Sequence, residues 1–190
     1  YKRQDRDSAI QAFVAEMADI VSDSTYLPDA AKGVSESDLA PLRDADERAT
    51  SRRAGDRSSF VDRCDGLSAA VCAHHAASGL PGKTVAIEGF GANGPALAAA
   101  AVERGATITA VATSTGTISS DAGFDPTALA DGWVASGPDL VNDLGEAGHP
   151  MSIFGSGADV WFIGSMLGVV HHDVAAPLGE ASAVIACGRT

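Results

Sequence analysis

A chain of 190 residues has room for one full domain, or one domain with an appendage, and is short for a large enzyme. Apolar residues make up 45% of it, enough for a real core, yet no apolar run reaches the length of a membrane span and no charged-then-apolar leader opens the sequence, so neither a membrane partner nor secretion is expected. A formal charge of −12 argues against nucleic acid, which needs clustered Lys and Arg to displace its counterions. In chain order, Ser8 to Ser22 predicts an amphipathic helix, with Ile10, Phe13, Val14, Met17, Ile20 and Val21 on one stripe and Ser8 and Gln11 at capping-box spacing. That stripe is expected to be buried, either on the domain that follows in the chain or in a homo-oligomer contact. Ser22 to Asp29 reads as a loop, and a second helix is expected from Ser37, with Pro41 in its first turn. Arg43 to Arg57 is charge-dense and almost free of large apolar residues, the pattern of a solvated surface. Phe60, Val61, Cys64, Leu67, Val71 and His75 then recur at helical spacing, and Ser78-Gly79-Leu80-Pro81-Gly82 stops that helix.

The next stretch organises the chain. Thr84 to Ile87 is a β-branched run suited to a buried parallel strand, and Gly89, Gly91 and Gly94 follow it at G-x-G-x-x-G spacing. In such a turn the first glycine permits the bend, the second lets a pyrophosphate approach the backbone, and the third lets the following helix pack closely. That helix, from Pro95 to Glu103 and closed by Gly105, offers free N–H groups and a positive dipole end to phosphate. A second strand is expected at Thr107 to Ala112. These residues predict a dinucleotide site made of Gly89, Phe90, Gly91, Ala92, Asn93 and Gly94.

Further on, Asp125-Pro126 is an N-cap with proline at the first helical position, Asp139 to Ala147 predicts a helix, and Ala158 to Ile163 and Ala183 to Cys187 predict strands. Strands alternating with helices give a parallel α/β sheet, a Rossmann-type three-layer fold over residues 81–190, preceded by a helical segment over 1–80. Right-handed crossovers place the cofactor-facing loops at Gly89, Thr113, Gly164 and Gly188. His171-His172-Asp173 is the one cluster that suggests a metal. Adjacent histidines point apart and no third ligand is spaced to join them, so no metal is expected and Asp173 is read as the cap of a helix from Val174 to Leu178. His74-His75, at a helix end, needs no catalytic role. Cys64, Cys72 and Cys187 lack metal spacing, which fits a reduced, cytoplasmic chain, and Cys64 and Cys72 read as small core residues. The sequence begins at Tyr1, which reads as a fragment or a processed product.

Lined up, these residues resemble the glutamate/leucine/phenylalanine/valine dehydrogenase family, chiefly its nucleotide-binding half. Gly82-Lys-Thr-Val-Ala-Ile-Glu-Gly-Phe-Gly-Ala-Asn-Gly94 is similar to that family's strand and G-F-G-N-V-G turn. Glu103-Arg-Gly-Ala106, Ala110-Val111 and Ser114-Thr-Gly-Thr-Ile118 continue the likeness, and Ala158 to Val170 resembles the family's A-D-V-L-x-P-A-A-L-E-N-V-I segment. The resemblance implies an NAD(P)-dependent amino-acid dehydrogenase that converts an L-amino acid to a 2-oxo acid, with Thr113, Ser114, Gly164 and Ser165 joining the cofactor site. Pro28-Asp29 looks like the family's Pro-Asp dipeptide, which would make Asp29 the catalytic acid; an exposed turn aspartate is the other reading.

The departures bear on mechanism. The family's catalytic lysines have no counterpart in these residues, Asp65 in Cys64-Asp65-Gly66 replaces a threonine that faces the nicotinamide, and Gly168 replaces a cofactor-facing asparagine. A nucleotide-binding module without catalysis is the alternative. Where NAD-dependent proteins carry a carboxylate after the second strand, Thr113 stands here with Ser114 and Thr115, three hydroxyl donors and no repelling charge, so the cofactor is NAD or NADP, leaning to NADP.

Overall fold

A computed structural model of the chain describes residues 3–23, 26, 28, 34, 38–45, 57–165 and 168–187. It divides into two units, Tyr1–Val61 and Asp62–Thr190. In the first unit, helix α1 (Arg3–Ser22) packs on the short helix α2 (Ala40–Ala45), burying Val21 against Leu39 and Leu42, with Val14, Met17, Ala18 and Val34 around them. The helix starts five residues ahead of Ser8, so the capping-box pair lies inside it and caps nothing; Asp5 occupies its first turn, where the dipole favours an acid. Within this unit the stripe is only partly buried. A six-residue partner is too narrow to cover it, and Phe13 and Ile20 each remain 43% exposed. Pro41 falls in the first turn of α2, as expected, while Ser37 and residues 46–56 lie outside the described residues.

The second unit begins with most of helix α3 (Arg57–Ala76), followed by β1 (Thr84–Glu88), α4 (Gly94–Glu103), β2 (Thr107–Ala112), β3 (Thr117–Ser119), α5 (Pro126–Ser136), α6 (Leu140–Leu144), β4 (Val160–Ile163), α7 (His172–Leu178) and β5 (Ala183–Ala186). Two 3-10 turns, Gly137–Asp139 and Pro150–Gly155, complete it. The sheet has the order β3-β2-β1-β4-β5 and is parallel except for β3, which returns antiparallel to β2. β3 was not expected, since three residues give too short a pattern to read; the tight turn Thr113–Gly116, closed by Thr113 N–H donating to the Gly116 carbonyl at 2.9 Å, turns the chain back.

Alternation along the strands sorts the core into two layers. Val85, Ile87, Val160 and Phe162 meet α3, α4, α5 and α6 on one face, whereas Ala86, Ala110 and Trp161 meet the second 3-10 turn and α7 on the other. A register shift between Val85 and Ala86 lets Ile108 and Val111, three apart on β2, share the first face. Trp161 stacks on Phe154 at 5.5 Å and donates its indole N–H to the Ala158 carbonyl at 2.9 Å, so its one polar group is satisfied in the core.

Three expectations fail here. The α3 stripe of Val61, Cys64, Leu67, Val71 and His75 does not face the core: Leu67 is 46% exposed, and Cys64 and Cys72 are exposed as well. The buried face is the small one, Gly66, Ala69, Ala70 and Ala73, because α3 crosses α4 so closely that a Cβ on Gly66 would lie 2.5 Å from the Leu97 nitrogen. The helix expected from Asp139 to Ala147 is shorter, since Gly145 ends it after Leu144. The cap of α7 is His171, whose Nδ1 accepts the Asp173 N–H at 3.4 Å; Asp173 lies in the first turn, because the helix starts two residues before Val174.

At the amino ends of the strands, Asp159 ties β4 to β1. One carboxylate oxygen accepts the Thr84 N–H at 2.8 Å and the Thr84 hydroxyl at 2.9 Å, and these bonds hold the carboxyl below the usual carboxylate range. A depressed folded-state value stabilises the fold above the unfolded value, and that stabilisation is lost as pH falls through the folded one. Asp159→Asn is therefore expected to destabilise by about 1–2 kcal/mol at pH 7 and by progressively less below about pH 4. Urea unfolding of both proteins at pH 7 and pH 3 checks this; equal differences at the two pH values would refute it. Among the described residues, no helix is long and apolar enough to cross a membrane.

Candidate functional site

The strand order reverses between β1 and β4: the chain moves from β1 outward through β2 and β3, then returns to the other side of β1. Ligands of open α/β sheets bind at the carboxyl ends of the strands where such a reversal opens a crevice. Here that place is formed by the turn after β1 and the loop after β4.

The three glycines of the β1 turn do three different things. Gly89 has φ 77°, and a Cβ on it would lie 2.7 Å from the Ser165 Cα and closer still to its nitrogen, so this glycine lets the two loops touch. At Gly91 an added Cβ would meet, among the described residues, only the Gly89 carbonyl, at 3.7 Å, which leaves its outer side open to them. Gly94 is filled from within: a Cβ there would lie 2.8 Å from the Phe90 ring, so the third glycine makes room for a side chain and not for the strand. Phe90 is thus buried, edge-on to Trp133 with centroids 6.1 Å apart, and its N–H donates to the Ala112 carbonyl at 2.8 Å. Both its ring and its N–H are committed to the fold, so neither is offered to a ligand. The N–H groups of Gly91, Ala92 and Asn93 donate to no described residue, and they precede the ten-residue helix α4. An open glycine, three amides without a partner among the described residues and a positive helix end suit a pyrophosphate, so these residues fit a dinucleotide.

After β2 the geometry changes the expected inventory. The Thr113 and Thr115 hydroxyls both donate to the Pro138 carbonyl at 2.7 Å, and the Thr115 N–H donates to the Thr113 oxygen at 3.3 Å. Their protons are used, so of three hydroxyl donors only that of exposed Ser114 faces outward without a partner among the described residues. No lysine or arginine occurs between Arg104 and Arg189 to hold an extra phosphate.

After β4, Gly164 and Ser165 turn their N–H groups inward. Both donate to one carboxylate oxygen of Glu88 at 3.1 Å, and Gly164 also donates to the Glu88 carbonyl at 2.9 Å. Cys187, just after β5, lies close by: burial and then the Glu88 charge push its thiol up to about 11, so it is an inert thiol there. Sequence reading missed Glu88, which looks like the polar end of a strand, and also Gly66 and Pro138.

A family model for the glutamate/leucine/phenylalanine/valine dehydrogenases matches residues 63–180. The chain belongs to this family. Of solved structures, the hetero-hexameric glutamate dehydrogenase from Thermus thermophilus, leucine-bound form, is similar over 97% of this chain and 47% of its own length, with 21% identity and a TM-score of 0.64. A second glutamate dehydrogenase is similar over 92% of this chain and 44% of its own, with 20% identity and a TM-score of 0.63. The chain thus spans about half the length of the solved structures it matches, and the likeness at this identity concerns the fold. No curated protein matches the sequence. The family is one of NAD(P)-dependent dehydrogenases. Asp65 is exposed on α3 one residue before the close crossing at Gly66, whose added Cβ would also lie 2.8 Å from the Asn93 carbonyl. Pro28 is buried; Asp29 and Gly188 lie outside the described residues, as do Met166 and Leu167 of the β4 loop.

Proposed function

We propose that the chain is the dinucleotide-binding half of an NAD(P)-dependent amino-acid dehydrogenase of the glutamate dehydrogenase kind, which with water converts an L-amino acid to a 2-oxo acid and ammonium. The observation that supports it is the open Gly91, with the amides of Gly91, Ala92 and Asn93 unpaired among the described residues, at the reversal of the sheet. Bound there, the cofactor supplies the hydride acceptor. The chain's own part is to seat the pyrophosphate on the β1 turn and to present Ser114 and Ser165 beside it. Asp29 is the candidate for a proton-transferring acid, and the family's lysines would come from a substrate domain to which the helical segment over 1–80 belongs or docks. A cytoplasmic homo-oligomer suits this reading. Asp65 and Gly168, in place of the family's threonine and asparagine, favour the second reading, a module that binds the nucleotide without catalysis.

Cofactor choice follows from the loop after β2. No carboxylate stands at Thr113 to repel the extra phosphate of NADP, yet one free hydroxyl and no nearby cation in sequence hold it, so discrimination is weak and leans to NADP. Thr113→Asp is expected to shift the ratio of affinities towards NAD by about tenfold or more, as a new charge a few ångströms from a phosphate would. Calorimetry of NAD and NADP against both proteins tests this. Binding of neither cofactor would sink the functional reading; binding without a shift would sink the assignment of Thr113.

A further inference from the structure

Among the described residues Glu88 is the one carboxylate buried at the sheet reversal, 7% exposed, at the last position of β1. Its position is fixed by two backbone donors from the far side of the crevice, the Gly164 and Ser165 N–H groups, both on the same oxygen. The other oxygen accepts from no described residue. Gly89 is glycine because this junction is so tight that a Cβ would strike Ser165. The junction therefore joins the β1 turn, where the pyrophosphate is proposed to sit, to the β4 loop, and it carries a negative charge. A dinucleotide seated on the β1 turn runs to both sides of it, one half over β2 and the other over β4. The half over β2 lies at the loop that carries Ser114, so the half over β4, beside Glu88, is the nicotinamide half. That ring carries a positive charge when oxidised and none when reduced.

We infer that Glu88 is a positioning residue that locks the β4 loop to the β1 turn and selects the oxidised over the reduced form of the bound dinucleotide. This rests on the dinucleotide reading above. A fixed anion in a partly desolvated crevice acts on a nearby cation with little screening, whereas it leaves a neutral ring unaffected. Glu88→Gln is the informative change, because the amide oxygen still accepts from Gly164 and Ser165 while the charge is gone.

The test measures dissociation constants of oxidised and reduced NADP for wild type and Glu88→Gln, by calorimetry and by the fluorescence of the reduced form. The ratio of reduced to oxidised dissociation constants is expected to fall about three- to tenfold in the variant. An unchanged ratio, with both forms still binding, would overturn the inference and leave the dinucleotide reading intact; binding of neither form by the wild type would overturn both. If circular dichroism shows that Glu88→Gln does not fold, Glu88→Asp carries the test. The charge stays at the strand end, so the ratio should remain within about twofold of wild type even if both affinities drop; a larger fall would overturn the charge-based selection.

Discussion

Gly89→Ala is expected to destabilise the chain by about 2–5 kcal/mol and to abolish dinucleotide binding. Two penalties add. A left-handed φ of 77° costs a residue with a Cβ about 1–2 kcal/mol. The new methyl also lands against the Ser165 backbone, and overpacking against atoms that cannot rotate away adds about 1–3 kcal/mol. Ser165 cannot simply retreat, because its N–H is held by Glu88, so relief requires breaking the β1–β4 junction. Set beside a whole-domain stability of about 5–15 kcal/mol, the loss is large enough to appear as a strongly lowered urea midpoint. A midpoint within experimental error of wild type would show that the two loops are not in contact.

Gly91→Ala is expected to do the opposite: leave folding nearly unchanged and weaken dinucleotide binding about a hundredfold. Gly91 is not among the glycines with a left-handed φ, and among the described residues an added Cβ would meet only the Gly89 carbonyl, at an ordinary 3.7 Å. The methyl instead fills the space through which a pyrophosphate would reach the amides of Gly91, Ala92 and Asn93. Losing about two charge-assisted hydrogen bonds at roughly 1.5 kcal/mol each corresponds to that factor. Calorimetry with NADP and thermal melting read the two effects separately. A stable Gly91→Ala protein that binds as well as wild type would mean that the glycine turn serves the fold alone.

The contrast between these glycines shows where sequence is legible. Glycine spacing after a β-branched strand announces the turn because only such residues make that bend, and the strand at Thr107–Ala112 matched the structure at both ends for the same reason, being bounded by Gly105 and the Thr113–Gly116 turn. What spacing cannot tell is which glycine faces a ligand, which a loop and which an aromatic ring. That depends on Ser165 and Phe90, one distant in sequence and one hidden inside the motif. The α3 helix misled because ranking its faces by hydrophobicity assumes an ordinary separation between elements. Where two helix backbones nearly touch, size outranks hydrophobicity, and Gly66, Ala70 and Ala73 go inward while Leu67 stays out. Glu88 was overlooked because a carboxylate at a strand end is normally solvated; its partners, Gly164 and Ser165, are revealed only by the parallel pairing of β1 with β4.

The short antiparallel strand β3 settles one more matter, that of how the sheet meets its surroundings. Thr117 exchanges both backbone hydrogen bonds with Gly148, at 3.0 and 2.8 Å, and its hydroxyl donates to the Pro150 carbonyl at 2.7 Å. On that flank the chain has supplied its own cover, and an incoming strand finds the Thr117 donor and acceptor already taken. The opposite flank ends at β5, which pairs only with β4 among the described residues and leaves Val184 45% exposed. Growth of this sheet, whether by a continuation of the polypeptide or by misassociation during folding, is thereby directed to one side.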